Sequence, residues 1–183
     1  MKFTPLELSG IILIEPHQFR DERGYFFESF HREIFLKNGI QYDFVQDNQS
    51  LSKKNVLRGL HFQSPPYEQG KLVRVIKGSA LDVVVDIRKN SPTYGKHLTV
   101  ILNEENHRML WIPPGFAHGF LALMDETIFY YKCTGYYNRQ AEGGIMWNDP
   151  LLAIDWKSDN PIVSEKDMQL PLFKDFQSPF INL

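Results

Sequence analysis

Short runs in which apolar and polar residues alternate cover most of this chain. They are rich in Val, Ile and aromatic residues and are cut by Gly, Pro and Asn. A period of two over roughly four to eight residues predicts half-buried strands. Such runs fall at residues 10–15, 24–30, 44–48, 56–63, 71–77, 81–88, 97–102, 109–112, 119–123 and 128–134. Gly78-Ser79 makes a tight hairpin between two of them, and Ser91-Pro92-Thr93-Tyr94-Gly95 is a further turn. A short helix is predicted over 31–38, stopped by Gly39. Ser164-Glu165-Lys166-Asp167 opens another, and residues 149–156 and the C-terminal tail read as irregular. Many closely spaced strands with few helices predict a mainly β fold, a sandwich or barrel.

The alternation also sorts side chains by face. Lys71, Val73 and Val75 share one side of their strand. Leu81, Val83, Val85 and Ile87 share one side of the next, leaving Asp82, Val84, Asp86 and Arg88 on the other. A carboxylate carried with Val84 into a core needs a partner, and a lysine is the natural one; Lys71 and Asp82 are paired on this argument. Arg58 and His61 stand three apart, so a regular strand points them to opposite faces. Gly59 between them is where a bulge turns both inward.

Composition narrows the class. The chain has 183 residues, 43% hydrophobic and 14% aromatic, which fits one globular domain with a real core. A formal charge of −2 supplies no polycationic field for nucleic acid, so an anionic ligand must be held by individually placed Arg and Lys. A single cysteine, Cys133, forms no intramolecular disulfide and suits a reducing cytoplasm. The apolar stretch at 10–14 is too short for a signal-peptide core, and no run reaches membrane-spanning length.

The densest chemistry lies in Arg58-Gly59-Leu60-His61-Phe62-Gln63. A lone histidine on a strand can be a base, with an ordinary pKa of about 6.5, or a core histidine bonded to a carbonyl. Local sequence leaves both open. A metal site needs three or four convergent donors. The missing H-x-H, with the nearest histidines at His31 and His97, argues against one. Pro113-Pro114-Gly115-Phe116-Ala117-His118-Gly119-Phe120 is a rigid turn that displays His118. Tyr130 and Tyr131 face opposite ways, and an inward phenol is either a general acid or a core tyrosine. Ser164-x-x-Asp167 matches a capping box with Asp in place of Glu or Gln. Phe19 to Glu28 interleaves charges with aromatics, as a base-stacking and phosphate-gripping stretch does and as an amphipathic edge strand also does.

In combination the motifs resemble the dTDP-4-dehydrorhamnose 3,5-epimerases of the cupin fold. The resemblance runs from about residue 11 to 171. It rests on Asp21-Glu22-Arg23-Gly24 with Phe27-Glu28, Phe44-Val45-Gln46-Asp47-Asn48, and the segment from Val56 to Gln63. Gly70-Lys71-Leu72-Val73-Arg74, the run from Asp86 to Thr93, and the run from Ile112 to Phe120 follow. Trp147-Asn148-Asp149-Pro150 and Ser164-Glu165-Lys166-Asp167 complete it. It implies one epimerase domain over 1–183, with a jelly-roll core at about 40–135 and the N-terminal strands and C-terminal segment packed on it. It further implies a homodimer, no metal or other cofactor, and a dTDP-sugar substrate. That substrate is dTDP-4-dehydro-6-deoxy-D-glucose, converted to dTDP-4-dehydro-L-rhamnose. His61 matches the family's base, Tyr131 its acid, Asp167 the carboxylate that orients the base, and Lys71 the cation near the ketone oxygen. Arg23, Glu28, Gln46, Asn48, Arg58, His118, Glu142 and Lys166 match nucleotide- or sugar-contacting positions, with Tyr137 a further contact.

These residue types suit that reaction. A C4 ketone acidifies C3–H and C5–H, a cation stabilises the enolate at O4, and inversion requires a second group across the ring. Competing readings are a nucleotide-sugar 3- or 5-epimerase, a 3,4-ketoisomerase, a metal-dependent cupin, and a sugar-nucleotide binding barrel without catalysis.

Overall fold

The computed structural model describes residues 1–181. The strands in chain order begin with β1 (Lys2–Pro5), β2 (Ile12–Glu15), β3 (Phe19–Asp21) and β4 (Gly24–Phe26). After helix α1 (Arg32–Lys37) come β5 (Gln46–Ser52), β6 (Val56–Gln63), β7 (Lys71–Lys77), β8 (Ser79–Asp86) and β9 (His97–Asn103). The last are β10 (Met109–Ile112), β11 (Phe116–Ala122), β12 (Thr127–Cys133), β13 (Glu142–Gly144) and β14 (Ile162–Val163).

Two six-stranded sheets face each other as a jelly roll. The first runs β1-β2-β10-β7-β12-β5; the second runs β13-β6-β11-β8-β9, with β14 added parallel to the start of β6. A two-stranded hairpin, β3-β4, stands apart from both. The alternation in β7 and β8 sets the layers. Val73, Val75, Ala80, Val84, Phe120 and Phe129 fill the space between the sheets. Leu81, Val83, Val85 and Ile87 point out of the second sheet and are covered by Leu152, Trp156 and Phe180 of the C-terminal segment. Leu72, Met109 and Trp111 cover the outer face of the first sheet with Phe35 of α1.

Most expected strands form, with shifted ends. The run at 44–48 starts later and reaches Ser52, because β5 is paired along its whole length with β12. The run at 119–123 starts earlier, at Phe116, because β8 pairs it from Asp86 onward. The run at 24–30 stops at Phe26, where the hairpin with β3 ends. Strands β1, β3, β13 and β14 were not expected; they are two to four residues long, too short for a periodic pattern to register. Asp86 explains the Ser91–Gly95 turn: its buried carboxylate accepts from Arg88, Ser91 and Thr93 at 2.6–2.9 Å.

One irregularity positions everything below. His118 of β11 pairs with His61, and Phe120 pairs with Arg58, so Gly59 and Leu60 together oppose the single Gly119. The bulge turns Arg58 and His61 to the same side, while Leu60 is fully buried in the outer cluster. Gly59 has φ +137°, and a Cβ there would lie 2.5 Å from Gly119 Cα. A Cβ on Gly119 would in turn meet the Arg58 carbonyl at 2.8 Å. Two strands approach here too closely for any side chain.

Gly59→Ala is therefore expected to destabilise the protein by about 1–3 kcal/mol or more. Thermal unfolding should show a Tm loss of about 2–4 °C for each kcal/mol; an unchanged Tm would contradict the close approach.

Candidate active site

The inner faces of the two sheets enclose a cavity of about 520 Å³. Ser50, Arg58, His61, Lys71, His118, Tyr131, Lys166 and Asp167 are among the residues that line it, over a floor that includes Phe120 and Phe129. A smaller lobe of about 250 Å³ adjoins it, lined by Gln46, Asn48, Gln69, Tyr137 and Glu142. His61, Lys71 and Tyr131 border both lobes.

His61 projects from β6 past the bulge. Its Nε2 lies 2.8 Å from Asp167 Oδ1. The other oxygen of Asp167 accepts the Gly59 N–H at 3.1 Å, so one carboxylate fastens both the bulge and the imidazole. Burial raises the Asp167 pKa, but the hydrogen bonds from His61, Gly59 and Ser164 outweigh it and hold the carboxyl below its ordinary range. Asp167 is thus ionised near neutral pH and accepts from His61 Nε2–H, which leaves the lone pair on Nδ1. The Asp167 N–H donates to Ser164 Oγ at 3.1 Å, and a 3₁₀ turn, Asp167–Gln169, begins there. The capping role and the site role of Asp167 coexist, one through its backbone and the other through its side chain.

Tyr131 and Lys71 come from the opposite sheet, on adjacent strands β12 and β7. Lys71 Nζ lies 6.0 Å from the Tyr131 ring centroid. Burial pushes the Tyr131 phenol up, with Arg58 opposing, so the group stays protonated at neutral pH. Burial pulls the Lys71 ammonium down, while Cys133, Asp82 and Glu142 oppose that shift.

Arg58 sits at the exposed mouth and donates to Ser52 Oγ at 3.3 Å. Around the smaller lobe, Glu142 accepts from Tyr137 Oη at 3.0 Å and pairs with Lys166 at 2.6 Å. Gln46 accepts the Tyr137 N–H at 2.9 Å and donates to Asn48 Oδ1 at 3.0 Å. Eleven of the thirteen residues singled out from the sequence, all but Arg23 and Glu28, thus line one continuous space. Arg23 pairs with Asp21 at the tip of the β3–β4 hairpin, in a separate shallow recess with Phe19, Tyr25 and Phe26. Glu28 is exposed on the segment after that hairpin.

One expected contact is corrected. Asp82 hydrogen-bonds His118 Nε2 at 2.8 Å and makes no ion pair with Lys71. The cause is topological: Asp82 and His118 lie on neighbouring strands of the same sheet, whereas Lys71 stands across the barrel. The sequence reading also missed Ser50, whose buried Oγ has no hydrogen-bond partner. The period of two from Gln46 through Asn48 was the signal that would have found it. Among the described residues no three His, Cys, Asp or Glu side chains are grouped as a metal-ligand set.

An imidazole fastened to a buried carboxylate on one wall, with a phenol and an ammonium on the other, is an arrangement suited to acid–base chemistry, within a cupin-type jelly roll. Comparison with known proteins gives the family. The family model for dTDP-4-dehydrorhamnose 3,5-epimerase matches residues 5–175. The dTDP-4-dehydrorhamnose 3,5-epimerase of Methanothermobacter thermautotrophicus is 54% identical over 169 residues, 91% of each chain. That of Escherichia coli is 50% identical over 172 residues, 93% of each. Among solved structures, a dTDP-6-deoxy-D-glucose 3,5-epimerase from Legionella pneumophila in complex with dTDP-4-keto-L-rhamnose superposes with a TM-score of 0.94. Its identity is 45%, over 98% of this chain and 96% of that one. The chain belongs to the dTDP-4-dehydrorhamnose 3,5-epimerase family and is an epimerase.

Removing the carboxylate tests the pairing. Asp167→Asn is expected to lower the epimerisation rate by about 10²- to 10⁴-fold, with substrate affinity changed far less. Steady-state kinetics reads the split, and a normal kcat would show that His61 needs no orienting anion.

Proposed function

We propose that this enzyme inverts C3 and C5 of dTDP-4-dehydro-6-deoxy-D-glucose, giving dTDP-4-dehydro-L-rhamnose. One observation carries the reading: His61 and Tyr131 reach the same cavity from opposing sheets. Inversion at a carbon needs proton removal on one face and delivery on the other, and a base alone returns the proton to the side it came from.

In the proposed reaction the Nδ1 lone pair of His61 takes the proton from C3 or C5. The C–H electron pair moves into the ring and the negative charge settles on O4. Lys71 donates to that oxygen, an interaction that strengthens as charge develops and so lowers the barrier. Asp167 stabilises the imidazolium. Tyr131 then delivers its proton to the opposite face of the carbon, and proton exchange with solvent resets both groups. The cycle contains no net oxidation. Arg58 at the mouth and Lys166 meet the diphosphate, and the smaller lobe with Tyr137 receives the base end of the nucleotide. Cys133 is a buried free thiol, which agrees with work in a reducing cytoplasm.

Arg23 and Glu28 fit this reading in a homodimer, where the hairpin of one subunit borders the cavity of its partner. The hairpin exposes Phe19 (60%) and Phe26 (66%), a large apolar area for a monomer to leave in water. Sedimentation should give a dimer, and Arg23→Ala should weaken substrate binding although Arg23 lies outside its own cavity. A monomer with full activity would refute the exchange.

The function itself is tested by incubating the substrate with enzyme in heavy water and following the ring protons by NMR. Deuterium is expected at both C3 and C5 with inversion. His61→Ala should abolish incorporation at both carbons, and Tyr131→Phe should retain exchange at C3 while losing net inversion. Label at one carbon alone would make this a single-centre epimerase, and no label would overturn the reading.

A further inference from the structure

The link from β12 to β13 carries the chain from the first sheet to the second, and Tyr137 stands in the middle of it. Tyr137 belongs to no helix or strand and is 53% exposed, so neither a ladder nor apolar packing holds it. It nevertheless borders the smaller lobe, where a ring binds well only if it is already in place.

Two glutamine side chains fasten its backbone. Gln46 Oε1 accepts the Tyr137 N–H at 2.9 Å. Gln63, the last residue of β6, is buried and takes the groups on either side. Its Nε2 donates to the Tyr136 carbonyl at 3.3 Å, and its Oε1 accepts the Asn138 N–H at 2.7 Å. The peptide group between Tyr136 and Tyr137 is thus held at both ends, its oxygen by Gln63 and its N–H by Gln46. The second N–H of the Gln63 amide donates to the Tyr67 carbonyl at 2.9 Å. That bond ties in the loop that brings Gln69 to the lobe, and Gln69 Nε2 in turn donates to the Gly135 carbonyl at 2.6 Å. Both donors and the acceptor of the buried Gln63 amide are therefore spent on irregular backbone around the lobe. An apolar residue of the same size would fill the space without an amide to desolvate. Gln63 closes the segment that carries Arg58 and His61, yet the reaction proposed above gives it no part.

We propose that Gln63 is a positioning residue of the nucleotide site: its amide sets the place of Tyr137 and so the affinity of the smaller lobe for the base end of the ligand. This rests on the reading above in which that lobe receives the base. One strand then serves both ends of the ligand. His61 acts at the sugar, and Gln63, two residues on and on the same face, fixes the wall at the base.

Gln63→Met keeps the length and burial of the side chain and removes the amide. Calorimetry with dTDP and with inorganic pyrophosphate, on the whole enzyme, reads the effect. Affinity for dTDP is expected to fall about tenfold, as for one lost hydrogen bond, with pyrophosphate binding unchanged. KM for the sugar nucleotide should rise by a similar factor while kcat falls far less. In a Tyr137→Ala background, where the ring to be positioned is gone, Gln63→Met should add little, about twofold or less. Equal weakening of dTDP and pyrophosphate, or a full further loss in the Tyr137→Ala background, is the mark of a general structural role and overturns the proposal. Should Gln63→Met fail to fold, amide hydrogen exchange on the native protein decides. The Asn138 N–H should be protected although it lies outside any helix or strand, and rapid exchange there overturns the clamp. A Tyr137→Ala enzyme with normal dTDP affinity would instead reject the base end in this lobe, and the proposal with it.

Discussion

The site depends on the contact between two backbones at Gly59 and Gly119. Strand side chains alternate, so a regular β6 sends either Arg58 or His61 out of the barrel. The bulge removes that choice, and it exists because neither strand has a Cβ at the point where they cross. The same bulge presents the Gly59 N–H to Asp167, so the distortion that aims the imidazole also builds the socket for its carboxylate. Backbone geometry, rather than a loop, sets the relation between the guanidinium at the mouth and the imidazole in the interior.

The two sheets contribute different chemistry to one space. The second sheet and the segment beside it provide His61, its carboxylate and the His118–Asp82 pair. The first sheet provides the phenol and the ammonium. A substrate ring lying between them meets unlike groups on its two faces, which a site built along one strand could not arrange. Burial acts in opposite senses on the first sheet's pair: it favours the neutral phenol and disfavours the ammonium. That second effect is the cost of placing a cation inside the barrel, and nearby carboxylates oppose it.

Much of this was legible in the residues before the coordinates. The period of two in β7 and β8 assigned their faces correctly, and Gly59 between Arg58 and His61 marked the bulge. What the pattern could not carry was pairing across strands. Asp82 was matched to a lysine by charge alone, whereas strand order places a histidine beside it. Strands β13 and β14 escaped notice because each is fixed by its neighbour β6 rather than by its own few residues. The cavity-facing hydroxyl of Ser50 was hidden in plain periodicity, since serine on a strand carries no chemical flag. Arg23 shows a different limit: its motif is plain in the sequence, yet the fold sets it in a recess apart from the cavity, paired with Asp21.

His61 and Asp167 are separated by 106 residues in the chain. The carboxylate belongs to a segment that follows β14, after both sheets have otherwise been completed. The framework that carries the histidine and the carboxylate that orients it are therefore separate pieces of the chain. The second sheet can thus be complete in its pairing while the imidazole still lacks its anchor, so the order of His61 is decided by a segment that contributes almost nothing to the β-framework.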